Sequence, residues 1–232
     1  ILLPMGNPQN LYLNSRYDMG FGPFFAAVLP LALAGGVALA LLCLSGKGQA
    51  IVCARAALPR VRRGDVKLYA AVFAVSALAV FGLMDYRIAV AFAVVVLVAK
   101  GRNLVQQVDY ALLLTFVGFF VFVGNISHVP WIAEALREFV GRGTYWAAVA
   151  ASQVISNVPA AVLVSGFTED APALLAGVSA GGCGTLIASM ASLISYKLYV
   201  RDGGARGKYL LLFTAVNALF LAVMTCAHLA AR

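Results

Sequence analysis

Three short clusters of amide and hydroxyl side chains stand beside Gly and Pro inside otherwise apolar sequence. They are Gly6-Asn7-Pro8-Gln9-Asn10, Ser156-Asn157-Val158-Pro159, and the stretch 181–189 with Gly181, Gly182, Gly184, Thr185 and Ser189. Gly and Pro interrupt a helix, and an interrupted helix at membrane depth bares backbone amides and carbonyls that lipid cannot satisfy. Such breaks survive where they line a cavity or a binding site. A helix N-terminus aimed at the cavity offers N–H donors to an anion. Unwound carbonyls together with Asn, Ser and Thr oxygens suit Na⁺. The candidate substrate- or ion-binding residues are therefore Asn7, Asn10, Ser156, Asn157, Thr185 and Ser189, with Gly6, Pro8, Pro159, Gly181, Gly182 and Gly184 shaping the breaks.

The elements that position these residues follow from composition. The chain is 62% hydrophobic and 11% charged, whereas a soluble domain carries roughly a quarter charged residues. The runs 21–45, 66–84, 110–124 and 209–227 hold almost no ionisable side chain. About 20 apolar residues at about 1.5 Å each cross a ~30 Å hydrocarbon core. Segments of strict alternation are missing, so the spans are helices and the fold class is an all-α membrane protein, a polytopic bundle with broken helices. The segment 145–167 is apolar but broken at 156–159, which gives two half-length helices meeting at a polar tip, a re-entrant hairpin. Residues 172–200 are broken in turn at 181–185. In 130–143, Trp131, Ile132, Ala135, Leu136, Phe139 and Val140 oppose Glu134, Arg137, Glu138 and Arg142, the pattern of an interfacial amphipathic helix. The chain thus divides into 1–20, the end of a broken helix; 21–65, a span and a basic loop; 66–143, scaffold spans and the interfacial helix; and 144–232, hairpin, broken helix and final span.

The net charge of +8 has the distribution of a membrane protein rather than a nucleic-acid binder. If the hairpin enters and leaves on one side, segments 46–67, 100–109 and 197–208 share the cytoplasmic face. Together they hold 12 of the 17 Lys and Arg but 3 of the 9 acids, as the positive-inside rule requires. Cys43, Cys53, Cys183 and Cys226 are scattered singly, so no disulfide framework, metal site or cofactor is expected. The opening Ile1-Leu2-Leu3-Pro4 has no charged n-region and reads as the interior of a longer protein, not as a signal peptide.

Other polar residues have simpler readings. Thr115, Asn125 and Asn217 are expected to hydrogen-bond between helices, Asp109 to cap a span, Glu169 and Asp170 to sit in a solvated turn, and His128 and His228 to lie near membrane boundaries. The spans carry no mid-membrane charge, so either a proton-coupling residue lies in an N-terminal part outside this chain or coupling is to Na⁺ through neutral oxygens, the preferred reading.

Asn7 and Asn10 can be laid over Ser189 and Ser192, the trace an internal repeat would leave. With these motifs in this order, the chain resembles the ion transporter superfamily of arsenite permeases, citrate and dicarboxylate permeases and NhaD-type sodium/proton antiporters. The resemblance implies an inverted-repeat fold, of which this chain is the second repeat plus the end of the first. It implies a secondary active transporter in the cytoplasmic (inner) membrane that moves a small inorganic or carboxylate anion, or a cation, by elevator-type movement of a homodimer. Dicarboxylate members carry Ser-Asn-Thr at the tip; Val158 departs from that pattern. The competing readings are a non-transporting membrane component and an intramembrane enzyme. The latter would need a paired Asp, a Ser/His pair or a metal cluster at depth, which the sequence does not supply.

Overall fold

The computed structural model describes residues 1–46, 63–100, 105, 110–126, 128–201 and 205–231. Residues 47–62 of the basic loop and the expected cap Asp109 fall outside them. The described residues are helical, with no strand. After a 3-10 turn (Pro4–Gly6) come α1 (Pro8–Arg16), α2 (Phe21–Ser45), α3 (Arg63–Val80), α4 (Tyr86–Lys100), α5 (Tyr110–Ile126), α6 (Pro130–Gly141), α7 (Thr144–Ile155), α8 (Asn157–Ser165), α9 (Ala171–Gly181), α10 (Met190–Arg201) and α11 (Arg206–Ala230). They form two compact units, residues 1–44 with 114–232, and residues 45–113.

In the smaller unit, α3 packs on α4. The sequence expects an apolar span over 66–84, but the helix stops at Val80. Gly82 takes φ +71°, and the Gly82 and Leu83 N–H groups bond the Ala79 and Leu78 carbonyls at 3.1 and 3.0 Å. This is a left-handed glycine cap that satisfies two terminal carbonyls. Asp85 then accepts the Arg87 N–H at 2.8 Å and starts α4 two residues before the apolar run does.

In the larger unit, α2 and α11 are 25 residues each, and their most apolar 18-residue stretches have mean hydropathies of 2.5 and 2.2. At 1.5 Å per residue each is about 37 Å long, enough to cross a bilayer. Leu31 of α2 belongs to a buried cluster with Tyr145, Val149, Ala173, Ala176 and Ala180, against which Leu221 and Met224 of α11 pack. The amphipathic α6 buries only Ala133 and Val140. Trp131 remains 73% exposed, and the polar face carries an exposed Glu138–Arg142 pair.

The hairpin is α7 and α8, separated by Ser156 alone. The Thr144 and Thr168 hydroxyls bond at 2.9 Å, so the chain enters and leaves at one end. Helices of 12 and 9 residues reach about 18 and 14 Å, roughly half a hydrocarbon core. Helix α9 returns along α7. A Cβ on Gly177 would lie 2.7 Å from both Ala148 Cβ and the Tyr145 carbonyl, and one on Gly181 would lie 2.8 Å from Ser152 Cβ. Small residues admit this close approach, and lipid-embedded helices gain van der Waals contact from it. Buried Ala147, Ala148, Ala160, Ala161, Leu174, Leu175 and Val178 form the core. Helix α1 closes over α8: the Tyr12 hydroxyl meets Ser165 Oγ at 2.9 Å, and the Tyr17 hydroxyl donates to the Thr168 carbonyl at 2.8 Å.

Candidate substrate and ion site at the hairpin tip

Ser156 forms the tip with φ +72° and ψ +154°. That conformation costs a non-glycine residue about 1–3 kcal/mol, and packing around it must hold it. The surroundings do so. The Ser156 N–H bonds the Ser152 carbonyl at 3.1 Å, and the Ala160 N–H bonds the Ser156 carbonyl at 3.0 Å. The Asn157 N–H bonds the Ala188 carbonyl at 3.0 Å, with Ser156 Oγ on the same oxygen at 3.4 Å. Pro159 has no N–H, so the Val158 N–H is the one first-turn donor of α8 left without a partner among the described residues. The break is narrower than the sequence suggests: Asn157, Val158 and Pro159 already belong to α8.

Asn157 is 8% exposed, and its side-chain amide makes no hydrogen bond to the described residues. The residue is buried, but its amide atoms are not among the buried side-chain atoms left without a partner, so the amide keeps access to the surface and is free to meet a ligand there. Gly182 makes room for it: a Cβ there would stand 2.9 Å from Asn157 Nδ2.

The chain from α9 to α10 unwinds over 182–189 and lies across this tip. Gln153, one turn before Ser156, holds it. Its Nε2 donates to the carbonyls of Gly181 at 2.8 Å and Cys183 at 3.1 Å. Its Oε1 accepts the Thr185 N–H at 2.8 Å, and its carbonyl accepts Thr185 Oγ1 at 3.0 Å. Gly184 sits at φ +118°, and a Cβ there would run into the Gln153 side-chain oxygen. Ser189 caps α10: its Oγ accepts the Ser192 N–H at 3.3 Å and pairs with Ser192 Oγ at 2.9 Å. Helices α7 and α9 therefore end, and α8 and α10 begin, around one point. Helix starts carry partial positive charge and helix ends partial negative charge, so the junction presents both polarities without an ionised side chain.

The structure brings Ser156, Asn157, Thr185 and Ser189 together through Gln153 and Ala188. The first break is built locally. Asn7 is an extended residue (φ −145°, ψ 150°) ahead of Pro8, and its side chain makes no capping bond. Asn10 is fully buried; its Nδ2 donates to the carbonyls of Ile1 at 3.0 Å and Leu3 at 3.4 Å, while its Oδ1 is buried without a partner among the described residues. No hydrogen bond among the described residues joins Asn7 or Asn10 to the tip. Pro8 and Val158 do share a cleft of about 530 Å³, lined also by Leu11, Tyr12, Ser15 and Phe120. The overlay of the two breaks has a geometric counterpart: Asn7 and Ser189 precede the first residues of α1 and α10, and Asn10 and Ser192, three positions on, are both buried.

Sequence reasoning passed over Gln153, although it is the lone amide in an apolar half-helix one turn before a break. His228, expected only near a membrane boundary, is buried and stacks on Tyr145 at 4.1 Å, with the Tyr145 hydroxyl on Thr225 Oγ1 at 2.9 Å. Asp170 is not a plain turn residue, because its Oδ1 caps α9 at the Ala173 N–H, 3.0 Å away. The expected interhelical bonds of Asn125 and Asn217 are corrected: each Nδ2 donates within its own helix, to Val121 at 2.7 Å and Phe213 at 2.9 Å. In an apolar span the nearest acceptor is the carbonyl four residues back. Among the described residues, no group of three or more His, Cys, Asp or Glu could hold a metal ion.

The described residues are those of a helical membrane protein whose broken helices converge on uncharged amide and hydroxyl groups. The comparisons are specific. The chain belongs to the citrate transporter family, which it matches over residues 1–180. It is 32% identical over 215 residues to the inner membrane protein YbiR of Escherichia coli, covering 85% of this chain and 54% of that protein. It is 30% identical over 230 residues to the uncharacterized transporter MJ0456 of Methanocaldococcus jannaschii, covering 96% of this chain and 61% of that protein. The chain thus spans little more than half the length of these curated relatives. No solved structure matches it.

Proposed function

We propose that the protein containing this chain is a secondary active transporter that carries a small anion across the cytoplasmic membrane, driven by Na⁺, with the hairpin tip as part of its binding site. The observation that carries the reading is Asn157, a buried residue whose side-chain amide has no partner among the described residues, beside the unpartnered Val158 N–H and the starts of α8 and α10. Two N–H sources next to two helix N-termini fit a carboxylate or oxyanion. The family's description makes citrate the first anion to test. A trivalent anion needs more donors than this tip supplies, and the rest would come from elsewhere in the longer protein.

Na⁺ fits the acceptors nearby: the hydroxyls of Thr185 and Ser189, unwound carbonyls in 182–189, and the orphaned Asn10 oxygen across the first break. H⁺ is the alternative coupling ion. Asn7 would frame the same site from the start of α1. A hairpin that enters and leaves at one end also agrees with the positive-inside count, which puts its opening outside. Elevator-type movement within a homodimer completes the reading, on the strength of the resemblance.

The test is uptake into proteoliposomes by the complete protein, with citrate, succinate, sulfate, arsenite and Na⁺ offered under imposed Na⁺ and then H⁺ gradients. Accumulation driven by a Na⁺ gradient and lost in Asn157→Ala is the expected result. Accumulation that Asn157→Ala leaves untouched would remove the tip from the site.

A further inference from the structure

We infer that Gln153 is a positioning residue that holds the unwound stretch 182–189 against the hairpin tip, so that the two segments present one site. The inference rests on the reading of the tip as a binding site. Both polar groups of the Gln153 side chain are engaged: its Nε2 keeps a 3.3 Å bond to the Val149 carbonyl of its own helix, and its shorter bonds all go to the edge or interior of the unwound stretch, 28 to 32 residues further along the chain, at Gly181, Cys183 and Thr185. The bond from Thr185 Oγ1 to the Gln153 carbonyl adds a fourth tie from the same residue pair. Only one amide orientation fits, because the two carbonyls demand a donor and the Thr185 N–H demands an acceptor.

The surroundings are cut to this side chain. Gly184, at φ +118°, leaves the space that the Gln153 oxygen occupies. Asn157 lies against Gly182, one residue beyond the first carbonyl that Gln153 grips. When Gln153 lets go, the wall facing Asn157 and the carbonyl oxygens of 182–189 lose their fixed distance from the tip. The remaining ties are the Asn157 N–H and Ser156 Oγ on the Ala188 carbonyl, at the far end of the stretch. Gln153 therefore acts on the site through the loop, without itself being a ligand.

The complete protein with Cys183 as its sole cysteine gives a readout that needs no substrate. Cys183 is half-buried, and its carbonyl is one of the Gln153 acceptors. In Gln153→Met, which keeps length and loses the bonds, N-ethylmaleimide labelling of Cys183 is expected to quicken at least about tenfold, the scale of one net hydrogen bond. Gln153→Glu is nearly isosteric but turns a carboxylate on two carbonyls, so labelling quickens further. Thr185→Val, at an exposed position, breaks one tie without touching the core and shifts labelling in the same direction by less. For the transported solute, KM rises about tenfold in Gln153→Met while Vmax per labelled protein stays within about twofold.

Unchanged labelling in all three variants would overturn the inference. Faster labelling with an unchanged KM would leave a loop anchor and overturn the positioning role. Faster labelling in a protein that takes up none of the solutes would uphold the anchor and defeat the tip-site reading on which the positioning role rests.

Discussion

Two helix restarts in the larger unit, at Asn7-Pro8 and at Ser189-Met190, share a plan and differ in what they leave open. In each, a polar residue precedes the helix and a second polar residue three positions on is buried. At the first restart the buried Asn10 spends its donor: Nδ2 holds the Ile1 and Leu3 carbonyls, and its oxygen is left over. At the second, the Ala188 carbonyl just before Ser189 is taken by the hairpin tip, and what remains open nearby is a donor pair, the Val158 N–H and the Asn157 amide. The first restart thus leaves an acceptor of its own, whereas beside the second the open groups belong to the hairpin tip packed against it. The difference comes from long-range packing: the second restart lies across another broken helix, whereas the first folds back on its own leading turn. Polar residues at a helix break therefore declare their role only through their partners.

That comparison can be broken in graded steps. The largest effect is expected where the hairpin and α9 touch. Gly177→Leu pushes a side chain into Ala148 and the Tyr145 backbone, and should destabilise the protein by 3 kcal/mol or more, roughly the scale of severe core overpacking. Loss of monodisperse protein in detergent would register it. Next come the two asparagines as a pair. Asn10→Ala strips bonds from two carbonyls and should cost about 1–3 kcal/mol of stability, seen as a lower melting temperature, with a smaller change in transport affinity. Asn157→Ala removes an unpartnered amide and should leave the melting temperature nearly unchanged while abolishing uptake. Equal melting shifts in the two variants would erase the distinction. Ser156→Gly relieves the +72° backbone and should stabilise by about 1 kcal/mol, at the expense of a slacker tip and a higher KM. The smallest effect is at the surface: Arg142→Ala breaks an exposed ion pair and should move stability by less than about 0.5 kcal/mol.

The residues that were legible in the sequence are those whose chemistry is local. Pro8 sets the start of α1 by its own fixed backbone, and the apolar runs of α2 and α11 are set by hydrocarbon thickness alone. The hairpin could be read because two half-length helices flank Ser156, and Thr144 meeting Thr168 bears it out. Gln153 could not be read in the same way. A glutamine in an apolar helix looks like an isolated polar residue until the Gly181 and Cys183 carbonyls come within its reach, and those arrive from 28 and 30 residues away. The Tyr145–His228 stack and the Tyr145–Thr225 hydrogen bond escaped for the same reason, since they span some 80 positions. Asn125 and Asn217 were misread in the opposite direction: a partner was sought on another helix when a carbonyl four residues back was closer. The ends of α3 and α4 moved because Gly82 and Asp85 cap them, and capping outranks the hydrophobic run at a boundary.

The central claim is that the unpartnered side-chain amide of Asn157 at the hairpin tip holds the transported anion. Its most direct test is calorimetric titration of the complete, detergent-solubilised protein with the anion that the uptake panel selects, comparing the parent with Asn157→Ala at matched melting temperature. The claim predicts saturable, Na⁺-dependent binding in the parent and none measurable in the variant. Equal affinity in the two proteins would contradict it and move the site away from the tip.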